Sequence, residues 1–487
     1  MNEVVDEIYE NETAEELYER IQREKERLIS EGKLKKQKKL PEISEDEIPF
    51  KIPKSWKWVR LGEVVQINPK NYIEDDLEVS FIPMALIKDG YKSEFTYEIK
   101  LWKDIKKGYT HFKDGDIIMA KIVPCFQNLK SAVIKDLKNG FGAGTTELYV
   151  FRPYCSILPK YFLWFIKESK FIFESSLLMT GTAGQQRVRR EHLENYLFPL
   201  PPLSEQKRIS ELIDRLFAKL DEAKEKALSA LNTFELRKAK ILHLAIQGKL
   251  SKQLDEYETA EELYEKIQIE KEKLISEGKL KKQKKLPEIS QDEIPFEIPK
   301  SWKWVRLGEV FNIIMGQSPD GESINTENNG VEFHQGKIYF DKDYILESEY
   351  FTSKPTKIVE ANTVLLCVRA PVGTLNITNR TICIGRGLCG IDTFKNIDPK
   401  FILYFLRGFE QDFIKKATGT TFIAITVEVI KNQVFPLPPL EEQEQILRLL
   451  DDIFEKEEKA KKLIESTLNK IELVKKSILA RAVRGKI

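Results

Sequence analysis

The chain contains itself twice, and a fold that accommodates it must do so as a tandem of two half-molecules. Residues 12–64 (ETAEELYERIQREKERLISEGKLKKQKKLPEISEDEIPFKIPKSWKWVRLGEV) return as residues 258–310 with five changes: Arg20/Lys266, Arg23/Ile269, Arg27/Lys273, Glu45/Gln291 and Lys51/Glu297. A second duplication sits at another offset. FPLPPL at Phe198–Leu203, followed by Glu205-Gln206 and ending in Gly248-Lys249-Leu250, recurs at Phe435–Leu440 with Glu442-Gln443 and Gly485-Lys486-Ile487. Between these frames lie two blocks, 65–197 and 311–434, that do not resemble each other. The period is far longer than a solenoid repeat, so each copy is a half-molecule rather than one stacking unit. Two near-identical frames around different inserts imply one mechanical job done twice on two different objects.

With 487 residues and 41% hydrophobic content the chain has enough apolar material for more than one core. Its longest apolar runs fall short of a membrane span, and the acidic start MNEVVDEIYENE lacks the apolar region of an export signal. Cys125, Cys155, Cys367, Cys383 and Cys389 are odd in number and contain no CxxC pair, which points to reduced thiols and a cytoplasmic location. Charge is balanced. Block 65–197 has 19 Lys and Arg against 16 Asp and Glu, and block 311–434 has 13 against 14. A tight, solitary DNA binder usually carries an evident basic footprint, so any nucleic-acid grip here would be shared with partners.

The prolines of each FPLPPL prevent helix from running through it. Beyond them, neither Leu203–Gln247 nor Leu440–Arg484 contains proline or glycine. Apolar residues recur at steps of three and four: Ile213, Leu216, Leu220, Ala223, Ala227, Ala230, Phe234, Ile241 and Leu244 in the first, with Arg237 the one exception. The second has Leu450, Ile453, Ala460, Ile464, Ile471, Val474 and Ile478, with Glu457 and Thr467 breaking the seam. This is a coiled-coil stripe and predicts two long helices packed on each other. The repeated arms read as built for exposure: Thr13…Glu16 and Thr259…Glu262 fit capping boxes, and Gly32 and Gly278 fit helix stops. The basic run KLKKQKK after each arm helix reads as an exposed, partner-docking or phosphate-facing strip. The blocks read as mixed α/β. Strands are expected at Asp116–Ile122, Thr146–Phe151, Thr363–Val368 and Thr381–Ile384, and helices at Pro159–Ser169 and Pro399–Gly408.

In WKWVRLGEV opening each block, PLPPLSEQKRI and PLPPLEEQEQI closing them, and the AIQGKL and AVRGKI helix ends, the chain resembles the specificity subunit of type I restriction-modification systems. Within the blocks, Ala120–Cys125, GTAGQQRV, Gly316–Pro319, Val368–Gly373 and Gly385–Gly387 extend the resemblance, which covers nearly the whole length. It implies an α+β protein in which two mixed α/β target-recognition domains are separated by two long helices packing as an antiparallel coiled coil. The corresponding division is an N-terminal helical, basic arm (1–54), a first recognition domain (55–202), a central long helix (203–250), the repeated arm (251–300), a second recognition domain (301–439) and a distal long helix (440–487). The resemblance further implies that each domain reads one half of an asymmetric, two-part site in double-stranded DNA. The helices would dock two methyltransferase subunits, and restriction subunits would join through these. S-adenosylmethionine, ATP and Mg would bind on the partners, with no cofactor and no membrane contact for this chain.

Catalytic signatures are missing together. Gly330 and Gly336-Lys337 do not have phosphate-loop spacing, and Ile338 stands where a hydroxyl residue would hold magnesium. Asn68-Pro69-Lys70-Asn71 is not the pocket of an amino-methyltransferase. His111, His192, His243 and His334 show no metal-ligand spacing. The competing expectation is a self-contained DNA methylase or nuclease with divergent motifs. For DNA contact, glutamine and arginine make bidentate hydrogen bonds to adenine and guanine edges. Those in or beside the glycine turns are therefore the candidates: Gln185, Gln186, Arg187, Arg189 and Arg190 in the first block, and Gln317, Lys337, Arg369 and Arg386 in the second. Thr420 and Thr421 are weaker candidates.

If the paired helices set the separation of the two reading domains, they act as a ruler. One heptad added to each helix lengthens it by roughly 10.5 Å, or about three base pairs of B-DNA. Methylation mapping of that variant is expected to show a longer unread spacer between two unchanged half-sites.

Overall fold

The computed structural model describes residues 12–36, 38–154, 157–182, 184–251, 258–394, 397–418 and 423–487. The chain forms two compact units. One runs to Ala227 and is completed by Glu465–Ile487; the other is Leu228–Ile464. Each therefore owns one dissimilar block, one arm and a segment of both long helices.

In the first unit, the strands Val65–Ile67, Leu148–Pro153, Ile117–Ala120 and Ser131–Val133 lie in that order in an antiparallel sheet. A second sheet orders Glu98–Leu101, Glu78–Ile82, Phe141–Gly144 and Thr110–Lys113, with its middle pair parallel. The second unit repeats the first sheet with Phe311–Met315, Leu388–Thr393, Val364–Cys367 and Leu375–Ile377. Its other sheet also has a parallel pair, Val331–His334 with Ile382–Ile384. Blocks that look unlike each other in sequence thus share a topology. Both place a helix opened by proline and buried on all sides over its second half, Pro159–Ile166 and Pro399–Arg407, against the first sheet. The expected strands and helices are present with ends shifted by no more than three residues.

The duplicated segments build the frame that closes each block. Lys57–Arg60 pairs antiparallel with Leu197–Leu200, setting Trp58 opposite Pro199, and Lys303–Arg306 pairs in the same way with Val434–Leu437. Prolines are tolerated because each ribbon has only two strands, leaving their missing donors on its open side. The arginine ending each opening strand is buried. Arg60 donates to Pro41 O (2.7 Å), Glu42 O (3.1 Å), Asn195 O (2.9 Å) and the Glu47 carboxylate (3.0 Å). Arg306 makes the same set with Pro287 O, Glu288 O, Asn432 O and Glu293. One guanidinium, with its five donors in a fixed fork, ties the arm to both ends of its block.

The arms consequently differ from the exposed strips read from their charge. The helices Ala14–Ser30 and Ala260–Ser276 begin at the expected capping boxes and stop at Gly32 and Gly278, both at positive φ. Each buries one face, with Leu17 and Ile21 or Leu263 and Ile267 entering the core of its own unit. Burial on its own block overrides solvation because this face supplies apolar surface at helical spacing. The lysines of the basic run remain exposed at 33, 35, 36, 38 and 39.

The long helices span Leu203–Ile246 and Leu440–Ala482, and in the first unit they run antiparallel, with Lys224 facing Glu472 (2.7 Å) and Lys475 facing Asp221 (2.5 Å). Within the second unit Arg237 pairs with Glu457 (3.0 Å). The stripe is narrower than the spacing predicts. Val474 is 44% exposed, whereas Lys475 is buried, its ammonium over the Tyr91 and Phe217 rings. A straight helix drifts from a 3.5-residue repeat, and here the drift turns Lys475 inward. The central helix ends with Gly248 against Pro299 and Trp302, and the distal helix with Gly485 against Pro53 and Trp56. The end of the chain is thus part of its first unit. Among the described residues no helix is long and apolar enough to cross a membrane.

Replacing Arg60 or Arg306 by alanine removes a buried guanidinium and unties the arm from both ends of its block. Each substitution is expected to cost about 3 kcal/mol or more of stability, read as a drop in the denaturant midpoint of the full chain.

Candidate nucleic-acid interface

One edge of the first sheet in each unit gathers the ends of three strands and a glycine hairpin. In the first unit Ile117–Ala120 runs out into a loop, Lys121–Lys130, that contains a cis bond at Val123-Pro124. The segment after Leu177 folds back as a hairpin in which Thr180 and Arg187 exchange both backbone hydrogen bonds (3.1 and 2.9 Å). Gly181 has φ +128°, and a Cβ there would lie 2.8 Å from Gln185 O, so only glycine fits. Hairpin and loop are stitched together: Val123 N donates to Gln186 O (3.1 Å) and Val188 N to Lys121 O (3.0 Å). The Tyr149 hydroxyl donates to Val188 O (2.9 Å), fixing the hairpin base to the sheet.

The second unit repeats this construction. Thr418 and Ala424 exchange both backbone bonds (3.0 Å each), Ile425 N donates to Val368 O (3.0 Å), and Ala370-Pro371 is cis. Thr420 and Thr421, at the turn of that hairpin in the sequence, lie outside the described residues. A further glycine-built layer joins here. Gln317 N donates to Ile384 O (3.0 Å), Gly385 N to His334 O (2.8 Å) and Val368 N to Gly387 O (2.9 Å). A side chain at Gly316 would collide with the Gly385 carbonyl, so this close passage of two loops requires glycine.

The candidate residues divide by what their side chains already do. Gln185 and Gln186 are exposed on the first hairpin. Arg187 is engaged by a two-pronged contact with Glu147 (2.8 and 2.9 Å) and donates to Gln185 O (2.6 Å). The hydrogen bonds from Arg187 hold the Glu147 carboxyl below its ordinary range. Arg189 reaches Thr180 Oγ1 (3.3 Å), and Arg190 pairs along its helix with Glu194 (2.8 Å). In the second unit Gln317, Arg369 and Arg386 are exposed, and the backbone bonds above bring them together. Lys337, also exposed, borders a different feature, a cavity of about 460 Å³ also lined by Lys238, Arg407 and Glu410.

Two residues absent from the sequence candidates join these edges. Gln335 is exposed and its Oε1 accepts from Ser318 Oγ (2.9 Å). It precedes the Gly336-Lys337 pair whose spacing fails as a phosphate loop. Lys121, whose carbonyl accepts from Val188 N, belongs to the first unit. Beneath Gln335, Glu332 is held by Arg380 (2.5 Å), Ser348 N (2.7 Å) and His334 (2.7 Å). Burial pushes its carboxyl up, yet these donors outweigh burial and leave it at about 2. The Gln335 loop therefore starts from a charge-locked base.

The arrangement offers exposed amides and guanidinium groups on rigid, glycine-shaped loops, the chemistry that reads base edges and grips phosphates. The two edges are equivalent in backbone and differ in the side chains that they present. A family profile described as "Type I restriction modification DNA specificity domain" matches residues 53–232 and again 299–470. The chain belongs to the specificity subunits of type I restriction-modification systems. It is 35% identical to the type I restriction enzyme EcoAI specificity subunit of Escherichia coli, over 94% of this chain and 87% of that one. To the Escherichia coli EcoEI specificity subunit it is 34% identical with the same coverage. The HsdS subunit from Thermoanaerobacter tengcongensis superposes with a TM-score of 0.65 and 26% identity, over 90% of this chain and 99% of that one.

If the Glu147–Arg187 pair shapes the first hairpin, its two members act as one unit. E147Q, R187Q and the double variant are expected to shift base preference in the same way and to a similar extent, giving strong coupling in a double-mutant cycle of DNA-binding affinities. Q186A is expected to alter base preference while leaving the melting temperature within error.

Proposed function

We propose that this chain is the non-catalytic sequence reader of a cytoplasmic type I restriction-modification complex, and that each of its units reads one half of an asymmetric, two-part site in double-stranded DNA. The observation that carries this reading is the pair of equivalent sheet edges. The frame and the backbone scaffold repeat, while the presented side chains differ: Gln185 and Gln186 on one edge, Gln317, Arg369 and Arg386 on the other. Site symmetry mirrors protein symmetry, so different readers on a repeated frame call for different half-sites.

The frame fits a role in assembly. Leu473 (63%) and Val474 (44%) in the first unit and Leu236 (75%) in the second are exposed on the long helices. Such apolar side chains on a helix surface suit a protein partner. Because the frame occurs twice, two methyltransferase subunits would dock, and restriction subunits would join through them. S-adenosylmethionine, ATP and Mg would then act on those partners. The near-neutral blocks fit this division, since partners would supply much of the phosphate grip.

Replacing 311–434 by a second copy of 65–197 tests the reading. The complex built on that variant is expected to methylate an inverted repeat of one half-site, as seen by genome-wide methylation mapping. A continuous, unsplit target for the native chain overturns the proposal.

A further inference from the structure

One helix position links the shared frame to the unshared loops. The helices opened by Pro159 and Pro399 both carry a cation at their C-terminal end, Lys167 in the first unit and Arg407 in the second. Neither belongs to the duplicated segments. Each reaches from the helix into a loop of its own block.

The Lys167 side chain is 1% exposed, and its ammonium donates to Gly90 O (2.6 Å) and Leu129 O (3.0 Å). Leu129 lies in the cis-proline loop at φ +61°, a left-handed conformation that a leucine adopts only under constraint. Gly90 N donates in turn to Asn128 O (2.8 Å), so the ammonium clamps two segments that also bind each other. The start of that loop is stitched to Gln186 of the hairpin. A buried cation without a carboxylate is costly, and burial draws Lys167 down to about 7. Packing alone would be served by an apolar side chain of similar length.

Arg407 does the same task with different chemistry. Its guanidinium donates to Asp343 Oδ1 (2.7 Å) and Lys342 O (2.5 Å). Asp343 O accepts Ile377 N (2.9 Å), and Asp341 O accepts Asn376 Nδ2 (2.7 Å), anchoring the loop that begins at Gln335. The second unit thus compensates its cation with a carboxylate, whereas the first uses carbonyls alone.

We propose that Lys167 and Arg407 are positioning residues, each setting the conformation of its own block's reading loop and so the stringency with which one half-site is read. The proposal rests on the reading of one half-site per unit. Neither residue lies on the reading edge itself, so their influence passes through backbone placement, where small displacements cost much of a contact's selectivity.

The test uses the full chain reconstituted with its methyltransferase subunit and oligonucleotides in which each half-site is varied one base at a time. The half-site that survives the block replacement described above belongs to the first unit. K167M is expected to reduce discrimination in that half about tenfold and to leave the other half unchanged. R407M should show the mirror pattern, and R407K, which keeps the Asp343 pairing, should restore most of the loss. Equal loss of rate on all sequences, relaxation of both halves together, or undiminished discrimination in either methionine variant overturns the proposal. If K167M does not assemble, R407M at its less enclosed site decides the matter alone. A wild-type complex that shows no split site would instead bring down the functional reading.

Discussion

The rest of the structure depends on the buried guanidinium of Arg60 and its counterpart Arg306. This chain holds two dissimilar blocks on one repeated frame. Here the block's two ends are brought together as a two-stranded ribbon, and one arginine secures that closure to the arm through backbone carbonyls. Carbonyl acceptors are indifferent to side-chain identity. The junction therefore tolerates any insert whose ends lie in register, which is the physical basis for two dissimilar blocks on one repeated frame. Burial raises the stakes, because a desolvated guanidinium that lost its acceptors would be strongly destabilising.

The two sheet edges are held in shape for a related reason. Their loops are held by backbone-to-backbone bonds between hairpin and cis-proline loop, by glycines where chains pass too closely for a Cβ, and by charged anchors set below the surface. Glu147 with Arg187, and Glu332 with Arg380, spend their charge on shape and leave the exposed glutamines and Arg369 and Arg386 to face outward. An arginine in the hairpin is thus not by its presence free to bind. Arg187 is one of the base-contact candidates in the sequence, yet the fold commits its fork to a carboxylate 40 residues away.

Much was legible from the sequence because repetition and periodicity are one-dimensional signals. The duplicated frames, the long proline-free helices, the capping boxes of the arms and the proline-opened helices of the blocks all appear at nearly the expected positions. The exposed status of the arms was misread. Their charge is high on average, but burial depends on which face the apolar residues share, and Leu17 and Ile21 find a partner only once the block is folded beside them. Val474 and Lys475 exchanged roles for a similar reason, since the Tyr91 ring of the first block and the Phe217 ring of the central helix make the buried position attractive to an ammonium.

The sequence by itself determined the tandem design, the division into frame and insert, and the family, since each is written in local order and repetition. Tertiary structure alone decided which polar groups are available to read. The equivalence of the two edges is carried by strand order and backbone pairing between segments tens of residues apart, and dissimilar side chains can satisfy the same backbone geometry. Availability follows from that geometry. A guanidinium or ammonium is free or committed according to the carboxylate or carbonyl that folding brings within about 3 Å, and that proximity is a property of the folded chain.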